Sequence, residues 1–86
     1  MPNIKQQEKR VRQATRQRLE NLHWRSTAKT LMRRLQAAAA EGDADAVAER
    51  HRELVRWLDK AAARGALHKN TAARRKAQAA RMSAKS

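Results

Sequence analysis

The sequence has no cysteine, no phenylalanine and no tyrosine, a single proline and two glycines among its 86 residues. Without cysteine there is no disulfide framework and no thiolate metal site. His23, His51 and His68 are scattered, with no pair at the four-residue helical spacing that zinc sites favour, so no metal is expected. There is no glycine-rich phosphate loop, and Ser26, Thr30 and Thr71 lack any base-and-orienter partners. Neither catalysis nor a cofactor nor a small-molecule substrate is expected. No apolar run approaches the ~20 residues of a membrane span, and the first residues have no hydrophobic signal-peptide core. A soluble cytoplasmic chain without a membrane partner follows as the expectation. β-branched residues are few and never alternate, which argues against strands.

Acidic residues are also short, with 8 Asp and Glu against 21 Lys and Arg and a net charge of +13. None occurs from Arg64 onward. Residues 1–36, 37–63 and 64–86 carry nets of +8, −2 and +7. Self-repulsion on this scale opposes a compact state, and the core available to offset it is thin. Of the 41% hydrophobic residues, about half are alanine, which buries little area. A basic, core-poor chain calls for a polyanionic partner, nucleic acid before anionic membrane.

What is present is helix-forming sequence broken at two corners. Asn3 with Gln6 resembles a capping box, and neither proline nor glycine follows until Gly42. One helix is expected over about 3–40, polar all round from Lys5 to Arg18, then apolar along Leu22, Ala28, Leu31, Met32, Leu35, Ala38 and Ala39. Glu41-Gly42-Asp43 breaks it, and Asp43 caps a second helix over 43–64. That helix carries the stripe Val47, His51, Leu54, Leu58 and Ala61, widened by Trp57. Gly65 closes it in the grammar of a helix end, with cations in the last turn and then a residue free to take positive φ. Leu67 anchors the turn, and His68 or Asn70 caps a third helix over 68–84, expected to pack through Ala73, Ala77, Ala80 and Ala84. The fold class is therefore all-α, a three-helix antiparallel bundle in a single domain over 1–86, with a long basic N-terminal helix projecting from it.

The remaining chemistry is recognition of phosphate. Arg and Lys neutralise it, and helix N-termini offer free amides. The start of the third helix unites both, with amides near Lys69–Thr71 flanked by Arg74, Arg75 and Lys76. With only two tryptophans, an aromatic platform for bases is not expected. Recognition then rests on the shape and backbone of duplex or folded RNA. A histone-like DNA-binding protein is the alternative, while a coiled-coil module lacks the sustained heptad seam it needs.

Asn3-Ile4-Lys5, Lys9-Arg10 and Asn21…Arg25-Ser26…Lys29-Thr30, then Glu41-Gly42-Asp43, then Gly65-Ala66-Leu67-His68-Lys69-Asn70…Ala72-Ala73-Arg74…Lys76, resemble the bacterial small-subunit ribosomal protein family bS20. The resemblance runs in order over nearly the whole chain. It implies a three-helix bundle that binds 16S ribosomal RNA directly and early in assembly. It also implies a place between the 5′ domain and the long stem near the 3′ end, with few protein contacts. The family's binding positions map onto Asn3, Lys5, Lys9, Arg10, Asn21, Arg25, Ser26, Lys29, His68, Lys69, Asn70 and Arg74. Arg12, Arg16, Arg33, Arg75 and Lys76 complete the candidate set.

Overall fold

The computed structural model describes residues 4–85, so the proposed Asn3–Gln6 capping box and the candidate Asn3 lie outside it. Three helices follow in order: α1 (Ile4–Glu41), α2 (Ala44–Ala63) and α3 (Lys69–Lys85). The 38 residues of α1 span about 57 Å at 1.5 Å per residue. They set the long dimension of a molecule measuring 63 × 20 × 13 Å. Its radius of gyration is 17.3 Å, against about 12 Å for a compact domain of this length.

Both corners are built by glycine. Gly42 has φ 74°, and its N–H donates to the carbonyl of Ala38 at 3.1 Å, closing α1 with a left-handed cap. Asp43 then opens α2, its side chain accepting from the Ala46 N–H at 3.2 Å. At the other end Gly65 has φ 78°. Its N–H donates to Ala62 O at 3.1 Å, and the Ala66 N–H reaches Ala61 O at 2.9 Å. Those two bonds are the paired pattern of a Schellman motif. Ala66 and Leu67 are buried immediately after the turn, which fixes the direction in which α3 leaves. His68 starts α3 by accepting the Asn70 N–H on its Nδ1 at 3.1 Å.

The core is small and lies toward the C-terminal half of α1. Leu35, Leu54 and Leu58 are its large, fully buried side chains, joined by Ala28, Leu31, Ala38, Val47, Ala61, Ala66, Leu67 and Ala79. Its helix-two stripe is the one expected, with Trp57 and His51 half-buried at its edges. Where the core gives out, Trp24 stacks on Trp57, with ring centroids 4.1 Å apart and planes 30° apart. The Trp57 indole Nε1–H donates to the Trp24 carbonyl at 2.9 Å. The Arg64 guanidinium lies over the other tryptophan, 5.0 Å from the Trp24 ring centre. This cluster ties the α2–α3 turn to the middle of α1.

Two expectations about packing are corrected. Leu22 does not begin the buried stripe of α1; it is exposed, as is Leu19. At 100° per residue it falls on the side opposite Leu31 and Leu35. In α3 the buried alanines are Ala72 and Ala79, while Ala73, Ala77, Ala80 and Ala84 face solvent. Met82 explains the rotation. As the largest apolar side chain in α3 it packs against the core, and Ala72 and Ala79 share its face at helical spacing.

A Cβ built on Gly65 meets nothing within 4 Å, so any penalty for a side chain there comes from positive φ alone. Gly65→Ala is expected to cost about 1 kcal/mol, lowering the melting temperature by roughly 4–8 °C for a domain of this size. Gly65→Asn should cost less, because Asn tolerates that backbone region. Thermal denaturation of the two variants checks this; equal melting of wild type and Gly65→Ala would refute it.

Candidate nucleic-acid interface

The candidate residues fall into three groups along the molecule. Lys5, Lys9, Arg10, Arg12 and Arg16 are on the overhang of α1, where every residue from Ile4 to Glu20 is exposed. At 100° per residue Lys5, Lys9, Arg12 and Arg16 share one face, spaced i, i+4, i+7 and i+11, while Arg10 lies on another side. Arg25, Lys29 and Arg33 recur every four residues in the packed half of α1 and are exposed. That spacing forms a ridge on the side away from the core. Ser26 lies beside it and is exposed, its carbonyl accepting the Thr30 hydroxyl at 3.2 Å. Asn21 is half-buried, and its carbonyl receives Arg25 Nε at 3.4 Å.

The third group opens α3. His68, Lys69, Asn70 and Arg74 are exposed, while Arg75 and Lys76 are half-buried. Lys76 Nζ lies 2.8 Å from Asp59 Oδ1, so this cation is spent in part on holding α3 to α2. Because Arg64 lies over Trp24, the start of α3 and the root of the α1 overhang are at the same end of the bundle. Candidates separated by more than forty positions in the sequence are thereby brought to one corner of the molecule.

Most of the acids are on the other element, with Glu8, Glu20 and Glu41 on α1. Asp43, Asp45, Glu49, Glu53 and Asp59 belong to α2 or its cap, where they are interleaved with Arg50, Arg52, Arg56 and Lys60. Arg50 pairs there with Glu53 at 3.2 Å. Among the described residues no cluster of His, Asp and Glu side chains could hold a metal ion, and no helix is long and apolar enough to cross a membrane. What the surface offers is cationic side chains, which suit rows of phosphate; of the amides expected to be free near Lys69–Thr71, the Asn70 N–H is taken by His68 Nδ1. Sequence reasoning left Arg18, Arg34, Arg64 and Arg81 out of its candidate set, although all four are exposed. Their only signal is charge, since no motif includes them.

Comparison with known proteins finds the family described as Ribosomal protein S20 matching residues 2–84. The chain belongs to that family. A relative from Kocuria rhizophila, named small ribosomal subunit protein bS20, is 47% identical over 99% of both chains. Proteins of the same name from Thermomicrobium roseum and Heliobacterium modesticaldum are 42% and 46% identical, covering 91% of this chain and 79% and 89% of their own. Ribosomal proteins of the bS20 family are structural rather than enzymatic.

A helix that is polar all round gains nothing from packing and only marginal stability from propensity. In the isolated bS20-family protein at physiological salt, the amides of Lys5–Arg18 are expected to exchange rapidly with solvent, while those of Ala28–Ala38 are protected. Residue-resolved hydrogen exchange by NMR is the measurement, and slow exchange across Lys5–Arg18 would contradict it.

Proposed function

We propose that this protein is a structural constituent of the small ribosomal subunit that binds 16S ribosomal RNA directly, through phosphate and shape, early in assembly. The observation that carries this reading is the separation of charge by element. Residues 1–36 carry ten Lys and Arg against two Glu, no acid occurs from Arg64 onward, and five of the eight acids belong to α2 or its cap. Solubility alone calls for interspersed signs; a ligand with rows of negative charge calls for this arrangement. A rod with one row of cations at Lys5, Lys9, Arg12 and Arg16 and another, about 130° around the helix, at Arg25, Lys29 and Arg33 fits between two RNA segments rather than against one. This supports a bridging position between the 5′ domain and the long stem near the 3′ end. With few aromatic side chains in the sequence, binding rests on backbone and fold rather than stacked bases. The same demand for extended anionic surface on several sides argues for folded RNA over a straight DNA duplex.

Counterion release tests the assignment. Replacing the exposed Lys69 and Arg74 with Gln should flatten the dependence of log K on log salt by roughly 1.4–1.8 units, at 0.7–0.9 per phosphate contact. Affinity should fall by a similar factor on related RNA sequences, because phosphate contacts position without specifying. Replacing Arg50 and Arg52 of α2 should change the slope little. Equal slope changes in both variants would mean that no oriented binding face exists.

A further inference from the structure

The large hydrophobic side chains left exposed in the described chain are Ile4 at 68%, Val11 at 65%, Leu19 at 61% and Leu22 at 55%. All four are on α1, and none is near the core. At 100° per residue Ile4, Val11 and Leu22 fall within about 20° of one line, with Thr15 on the same line and Leu19 at its edge. That line lies on the opposite side of the helix from Leu31 and Leu35, so it is no extension of the buried stripe. Arg12 and Arg16 flank it on one side; Arg18 and Arg25 flank it on the other.

We infer that this ridge docks in the minor groove of an A-form RNA duplex, with aliphatic side chains against the riboses and the two flanking rows of arginine toward the two phosphate strands. The inference rests on the RNA-binding reading above and names the surface of RNA that the overhang takes. A helix with its side chains is about 10–12 Å across. The wide, shallow minor groove of A-form RNA can receive one face of such a helix, whereas its major groove is deep and narrow. The minor groove of B-DNA, about 6 Å wide, is too tight. Its major groove does admit a helix, but lacks the 2′-hydroxyls that line the minor groove of RNA. A second copy of this chain is disfavoured as the occupant, because pairing two ridges would press like-charged flanks together. Glu8 faces the same side, between Ile4 and Val11, and lines a shallow patch with them, Gln7 and Arg12. Its carboxylate can accept from a 2′-hydroxyl, the group that distinguishes RNA from DNA.

Charge and ridge can be separated experimentally. A variant carrying Val11→Gln, Leu19→Gln and Leu22→Gln keeps the net charge and most of the helix propensity, and alters no core position. On a 16S ribosomal RNA transcript it should bind at least tenfold more weakly than wild type, with the same slope of log K against log salt. A companion variant, Leu19→Met with Leu22→Met, should bind like wild type. Hydroxyl-radical footprinting, which reports ribose exposure, should show wild type protecting riboses on both strands across a duplex minor groove. The Gln variant should lose those protections and keep the rest. Equal affinity and an unchanged footprint would overturn the ridge while leaving RNA binding intact. If wild type did not prefer the transcript over a DNA duplex, both readings would fall. If wild type sedimented as a dimer and the Gln variant as a monomer, the ridge would belong to a second copy instead.

Discussion

The contact among Leu35, Leu54 and Leu58 holds the structure together. These three side chains are the large ones taken fully out of water, each contributing roughly 1.5–3 kcal/mol of burial. Around them the core consists mostly of alanine, and alanine lets helices approach without adding much apolar area. So small a core can clamp only a short length of helix. It holds the C-terminal half of α1 against α2, with α3 laid across them. Every described residue before Asn21 is exposed and lies beyond its reach, so the overhang follows from how little apolar surface the chain can spend.

That limit also explains the placement of charge. A helix inside the bundle must turn one face inward and loses directions in which to present cations. A helix beyond the core has none to lose, and the overhang is where Lys5, Lys9, Arg12 and Arg16 line one face and Arg10 and Arg18 point elsewhere. The Trp24–Trp57 stack and Arg64 stand at the boundary between the two regimes. By tying the second corner to the middle of α1, they bring the start of α3 up to the root of the overhang. The Schellman turn at Gly65 does the aiming, since its left-handed residue sends the chain back with Ala66 and Leu67 already buried.

Helix boundaries were legible because the signals are local. Gly42, Asp43, Gly65 and His68 each act within a few residues of themselves, and the positive φ expected at Gly65 is present. The family was legible through motifs that run in order along α1 and through both corners. Faces proved harder to read, and α3 shows why. Its alanines occupy so many positions that several stripes look equally apolar, and only Met82 breaks the tie. Whether Lys76 serves a ligand or Asp59 depends on a neighbour seventeen residues earlier, which no local pattern contains.

The misplaced Leu22 shows how position along a helix can change the meaning of an apolar residue. A stripe traced backward from Leu35 in steps of three and four runs through Leu31 and Ala28 to Trp24; Leu22, six residues before Ala28, lies off it. In α1 the apolar direction reverses between Leu22 and Trp24. On the far side of that point it faces α2; on the near side it faces open solvent between rows of arginine. Core formation has not buried the near-side set: all four side chains stay exposed, although α2 reaches as far as His23, whose ring meets Trp57 edge-on with centroids 6.0 Å apart. A chain with +13 net charge and so little apolar area would lower its own solubility cost by placing Gln at those positions. That they are aliphatic, and aligned, points to contact with a surface that is itself partly apolar and lies between two lines of negative charge.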